Sequence, residues 1–201
     1  MGSGLFITFE GTEGSGKTTQ VEMLGEWLAS REPVVVREPG GTELGERIRE
    51  VVLFAGLDID GEAEMYLFMA ARRQLIGEVI QPALASGRVV IADRYHDSTL
   101  AYQGGGRGVP AAWPPTFPRP DVTFLLHGPV EDGLERHVLA GKSADRMEGE
   151  SIEFHRRVAA EYERLAAAEP ARIVRLDASG SREQIHLAVR DRLTSLLEAA
   201  D

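Results

Sequence analysis

Gly4-Leu5-Phe6-Ile7-Thr8-Phe9-Glu10-Gly11-Thr12-Glu13-Gly14-Ser15-Gly16-Lys17-Thr18-Thr19-Gln20 decides how the rest of the chain is read. The stretch starts as an apolar, β-rich run, breaks at Gly11 and resumes with helical spacing at Lys17. Gly11 to Thr18 fits G-x-x-x-x-G-K-[ST], the P-loop pattern. Glycines at 11, 14 and 16 let successive backbone N–H groups converge on a phosphate without Cβ clashes. The helix that follows directs its positive N-terminus at the same place. Lys17 adds a point charge for the β- and γ-phosphates of ATP, and the Thr18 hydroxyl can ligate Mg²⁺. The plainer alternative is a glycine-rich strand–helix turn with no ligand. The strand before and the helix after favour the P-loop, as does the scarcity of lysine: Lys142 is the only other one.

A chain of 201 residues is expected to form one α/β domain with a substantial core. No run of about 18 apolar residues is present to span a membrane. No basic segment followed by an apolar one suggests a secretory signal. Cysteine is absent, so disulfides and thiolate metal sites are excluded. These features point to a cytoplasmic protein without a membrane partner. The formal net charge of -10 argues against a broad nucleic-acid face. The basic residues are almost all arginine, which suits bidentate recognition of phosphate but can equally reflect compositional bias.

Five apolar runs read as buried strands, at residues 5–10, 33–37, 89–92, 122–126 and 173–176. Helical patterns lie between them at 17–30, 44–54, 61–86, 130–139, 151–168 and 181–200, with a shorter helix expected after Asp97. This alternation predicts a three-layer α/β fold, a five-stranded parallel sheet with helices on both faces. Ligands of such sheets sit beyond the carboxyl ends of the strands. Gly104-Gly105-Gly106-Arg107-Gly108 and the proline-rich stretch 109–120 read as a loop crossing the surface. The polar interruption at 140–146 has the composition of a lid.

Three further constellations sit on the predicted rim. Arg37-Glu38-Pro39-Gly40-Gly41-Thr42 follows the second strand, and the next helix carries Arg47 and Arg49. Arg37 can reach a second phosphate there, or the segment is a plain turn with surface charge. Asp93-Arg94 follows the third strand; in a P-loop protein such an acid helps hold Mg²⁺, and Arg94 can clamp a phosphoryl group. The alternative is that Asp93 caps a turn and pairs with Arg94. On the third helix Phe68 and Arg72 are spaced i,i+4 and share a face. They can stack on a base and bond its edge, but helical spacing alone favours an apolar core stripe. No asparagine is present for a guanine-reading NKxD motif, and the five histidines lack metal-ligand spacing.

Taken together, these pieces resemble the bacterial thymidylate kinases (dTMP kinases). The resemblance rests on Phe9 to Gln20, Arg37 to Thr42 and Glu64 to Arg72. It continues through Asp93-Arg94-Tyr95-His96-Asp97-Ser98-Thr99-Leu100-Ala101-Tyr102-Gln103-Gly104, then Arg119 to Thr123 and Asp145-Arg146-Met147-Glu148. It implies a P-loop NTPase fold, a single nucleoside monophosphate kinase domain over 1–201 with a lid at about 140–150, and a homodimer through helices. It implies transfer of a phosphoryl group from MgATP to dTMP. ATP would lie on Gly11, Thr12, Glu13, Gly14, Ser15, Gly16, Lys17, Thr18 and Thr19, with Arg136 nearby. For dTMP it implies Glu13, Arg37, Phe68, Arg72, Arg94, Thr99, Tyr102 and Gln103, and for the metal Thr18 and Asp93. The catalytic cations would be Lys17, Arg94, Lys142 and Arg146. Two departures stand out. The family places a transition-state arginine either in the P-loop or in the lid. Here the P-loop position is Gly14 and the lid holds Lys142 where arginines are usual. His127-Gly128 replaces an acidic residue common after the fourth strand. A kinase for another nucleotide, or a binding module without catalysis, are the competing readings.

Overall fold

The computed structural model describes residues 4–139 and 145–200. The strands β1 (Phe6–Glu10), β2 (Val34–Arg37), β3 (Val90–Asp93), β4 (Val122–His127) and β5 (Ile173–Asp177) form one sheet in the order β2-β3-β1-β4-β5. Every pairing is parallel, with Phe6 beside Val90 and Ile7 beside Val122. The helices are α1 (Lys17–Trp27), α2 (Glu43–Arg49), α3 (Gly61–Leu75), α4 (Gln81–Ala85), α5 (His96–Thr99), α6 (Val130–Leu139), α7 (Ile152–Ala168) and α8 (Arg182–Ala200). The expected α/β sheet is the one found.

Side-chain alternation explains the layering, because successive strand residues point to opposite faces. Ile7, Phe9, Ile91, Phe124 and Leu126 join Val21 and Leu24 of α1 and Val189 and Leu193 of α8 in one core cluster. Phe6, Val90 and Ala92 face the other way, onto Leu75, Ile76 and Ile80. Leu125 and Ile173 point to that side as well, where Phe154, Val158 and Tyr162 of α7 cover them.

The predicted long helix 61–86 is one continuous rod whose middle, Ile76–Ile80, is wound as a π-helix between α3 and α4. Asp60 caps its start by accepting from the Glu62 and Ala63 amides. One expectation is corrected. The glycines of 104–106 are not loop but the end of a π-helical segment, Leu100–Gly106, that continues α5. A Cβ on Gly106 would lie 2.5 Å from the Phe154 ring, so this segment packs against α7 at a separation that excludes side chains. The short helix also begins at His96 rather than beyond Asp97.

Candidate active site

The carboxyl ends of β1, β2 and β3 open onto a single cleft of about 530 Å³. Gly16 precedes α1 in the left-handed region (φ 95°), and no side chain caps the helix. Its first amides are therefore left for a ligand. Lys17 is buried, and its Nζ donates to the Thr12 carbonyl (2.7 Å) and to Ser15 Oγ (3.3 Å). Burial, with Arg94 nearby, pushes its ammonium down to about 8 against the pull of Glu13 and Asp93. Thr18 Oγ1 donates to Asp93 Oδ2 at 2.6 Å, which joins β3 to the first turn of α1. A hydroxyl and a carboxylate oxygen side by side at the phosphate end fit Mg²⁺, which takes one or two carboxylates and completes its shell with phosphate and water.

Arg94 is central. It is a non-glycine residue at φ 69°, a costly conformation that turns its side chain back toward the P-loop. Its Nη2 donates to Glu13 Oε1 (2.6 Å) and Tyr102 Oη (3.2 Å), and its Nη1 to the Gly11 carbonyl (2.9 Å). The Tyr102 hydroxyl donates to the same Glu13 oxygen at 2.8 Å. Burial alone would raise the Glu13 carboxyl, but the charges of Arg94 and Lys17 and these bonds outweigh it and hold it at about 2. Beneath lies Glu10, almost fully buried, which accepts from the Tyr95 amide (2.7 Å), Ser98 Oγ (2.6 Å) and Tyr162 Oη (2.8 Å). This second acid anchors the segment that carries Arg94.

The far end of the cleft is built on α3 and α5. Phe68 lines it, and Arg72, 2% exposed, borders it. Arg72 Nε donates to Glu38 Oε2 (2.5 Å), its Nη1 to Thr99 Oγ1 (2.7 Å) and its Nη2 to the Tyr95 carbonyl (3.0 Å). Burial drives Glu38 up to about 7 although Arg72 pulls it down; its Oε1 has no partner. Gln103 Nε2 donates to the fully buried Glu64 at 2.7 Å, which leaves its amide oxygen for a ligand.

Of the expected site residues, Arg37 lines the cleft half exposed, paired with Glu46 at 2.9 Å. Arg136 lines it as well, with Nη1 donating to the Ala178 carbonyl. Arg146 is placed differently. Its Nη2 donates to Glu64 at 2.5 Å, its Nε to the Val52 carbonyl at 2.8 Å and its amide to Leu53. Those bonds fasten Arg146 to α3 and to the segment just beyond α2, and Arg146 is not among the residues lining the cleft. Lys142 lies outside the described residues. Arg49, to which the sequence assigns no role, lines the cleft and donates to the Pro39 carbonyl at 3.0 Å. Arg47 instead pairs with Glu43 in solvent. Two residues apart on a helix means roughly opposite faces, so about half a helical turn separates these arginines. Glu10, Glu38 and Glu64 also brace the site, but in sequence they look like any strand-end, turn or helix acid.

The sequence model of the family described as Thymidylate kinase matches residues 9–189. The chain belongs to the thymidylate kinase family. It is 46% identical to the thymidylate kinase of Pelotomaculum thermopropionicum over 98% of this chain and 95% of that one. It is 47% identical to that of Pseudomonas fluorescens, over 98% and 99%. The crystal structure of the thymidylate kinase from Ehrlichia chaffeensis superposes with a TM-score of 0.73 at 31% identity, over 95% of this chain and 99% of that one.

In this member of the thymidylate kinase family the P-loop has no room for a side chain at position 14. Gly14 (φ +65°) faces Gly133 of α6 so closely that a Cβ on Gly14 would stand 1.8 Å from the Gly133 carbonyl oxygen. A Cβ on Gly133 would in turn stand 2.4 Å from the Glu13 carbonyl oxygen. Backbone meets backbone, so no rotamer relieves the clash.

Proposed function

We propose that the chain transfers the γ-phosphoryl group of ATP to a phosphate oxygen of dTMP, giving ADP and dTDP. The observation that carries this is the single cleft, with a P-loop at one end, the Phe68–Arg72 pocket at the other, and Arg37, Arg49 and Arg94 lining the cleft. The P-loop amides and Lys17 hold the donor phosphates. Arg37, Arg49 and Arg94 take the acceptor phosphate, whose oxygen is a competent nucleophile without a base. Phe68 stacks on thymine, Arg72 and Gln103 bond its edge, and Glu13 with Tyr102 closes the sugar end. Catalysis is then positioning and charge neutralisation. Thr18 and Asp93 would hold Mg²⁺, which would supply charge neutralisation at the donor phosphates. ADP release coupled to NADH oxidation tests this, with dUMP and dCMP as alternative acceptors. dTMP-dependent turnover is expected, and ADP release indifferent to dTMP would overturn the reading.

Two variants separate the roles. Phe68→Ala should raise KM for dTMP about ten-fold or more, since stacking on a base is worth roughly 1–3 kcal/mol, with KM for ATP little changed. An equal effect on both substrates returns Phe68 to a packing role. Because Arg146 is committed to Glu64, the lid cation is assigned to Lys142. Lys142→Ala should lower kcat about ten-fold or more at unchanged dTMP affinity. An unaltered kcat passes the role to Arg136. We further read residues 1–201 as one nucleoside monophosphate kinase domain with its lid at about 140–150. A homodimer fits the apolar Val51, Phe54 and Leu57, exposed just beyond α2. A cytoplasmic location accords with the family, and no helix among the described residues is long and apolar enough to cross a membrane.

A further inference from the structure

Arg72 is met by a histidine that the proline-rich crossing loop holds in place. His96 is fully buried, with Nδ1 3.1 Å from Arg72 Nη1 and Nε2 3.1 Å from the Ala112 carbonyl oxygen. A carbonyl only accepts, so Nε2 carries the hydrogen and Nδ1 offers its lone pair to the guanidinium. The ring plane is set by Trp113, 4.8 Å away at 70°, and Phe117, 5.6 Å away at 87°. Trp113 Nε1 donates to the Phe117 carbonyl, and the Arg119 guanidinium lies 4.1 Å over the Trp113 ring, so the wall behind His96 is itself braced. Burial and the neighbouring Arg72 drive the imidazole down to about 3, so it stays a neutral acceptor through the physiological range.

The consequence lies in the donors of Arg72. A guanidinium has five N–H groups. Glu38, His96, Thr99 and the Tyr95 carbonyl take one each, so among the described residues one N–H on Nη2 is left, and Arg72 is one of the residues that line the cleft. We propose that His96 is a positioning residue for base selection: clamped by the 109–120 loop, it fixes Arg72 so that the remaining N–H meets an acceptor oxygen at pyrimidine position 4. A 4-oxo base presents that acceptor, whereas a 4-amino base presents N–H against N–H. A site built to bond one group rejects the analogue lacking it. The proposal rests on the dTMP pocket described above.

Steady-state kinetics of the full-length protein with dTMP, dCMP and ATP test it. His96→Phe keeps ring bulk against Trp113 and Phe117 but removes the acceptor. His96→Asn keeps an acceptor oxygen near the place of Nδ1. For His96→Phe, KM for dTMP should rise about ten-fold, KM for ATP should stay within about two-fold, and preference for dTMP over dCMP should fall. His96→Asn should restore most of the preference. Should His96→Phe fail to fold, His96→Leu replaces it as the variant without an acceptor. The proposal is overturned if the acceptor-free variant keeps its dTMP preference, if both KM values rise together, or if His96→Asn behaves like it. If the unaltered protein itself does not turn over dTMP, the proposed function fails first, and the role of His96 with it.

Discussion

Lys17→Ala should lower turnover about 10³-fold while leaving the protein at least as stable as before. The loss follows from removing a preorganised positive charge from a dry site at the donor phosphates, where one such group is worth roughly 10²–10³ in rate and Lys17 serves two phosphates. The stability follows from its surroundings. Lys17 is 6% exposed, and among the described residues its Nζ bonds only the Thr12 carbonyl and Ser15 Oγ. Burial disfavours its charge, so alanine relieves a cost instead of adding one. Thermal unfolding and single-turnover transfer from radiolabelled ATP measure the two halves separately. Near-normal transfer would sink the P-loop assignment. Normal loss of transfer accompanied by a large fall in Tm would mean that Lys17 braces the loop, and that the kinetic loss is partly structural.

Arg94→Ala is the second large effect, and here stability and activity should fall together. The substitution removes the cation assigned to the acceptor phosphate and strands Glu13, whose side chain is 16% exposed and paired at 2.6 Å. Breaking a mostly buried pair from one side costs about 3 kcal/mol, and kcat/KM should fall by about 10³-fold or more. The pH dependence has a definite sign. Glu13 is held at about 2 in the folded protein against an ordinary 4.5. Its contribution is therefore complete above about 4.5 and is lost as pH falls through 2. Most of that contribution depends on Arg94, so urea melts should show the gap between wild type and Arg94→Ala shrinking by more than half from pH 7 to pH 3. A gap independent of pH would mean that Arg94 stabilises through packing on Tyr102, over whose ring it lies at 5.1 Å.

The sheet was legible because its signal is local. Each strand is an apolar run bounded by turn residues, and the P-loop glycines mark where the first one ends. The cleft was legible as far as it is made of rim motifs such as Arg37 and Arg94. What escaped reading depends on partners distant in sequence. Gly105 and Gly106 look like a flexible loop until α7, some fifty residues on, is seen to need their bareness. Glu64 has the spacing of a solvent-facing helix acid, yet it is fully buried and neutralised by Arg107 and Arg146. Arg146 shows the same limit from the other side. Its motif does not disclose its partners, the Glu64 carboxylate and the Val52 carbonyl, which lie 82 and 94 residues away in sequence.

The contact between Gly14 and Gly133 bears on how such an enzyme can change over evolutionary time. A lineage carrying it cannot place a side chain at position 14 of the P-loop by one substitution, because any such side chain strikes the backbone of α6. Position 133 cannot grow first either, since its Cβ would press on the carbonyl of Glu13. The two glycines lock each other, and a side chain at either requires the helix itself to shift. Among relatives that share this contact, variation should therefore spare both glycines.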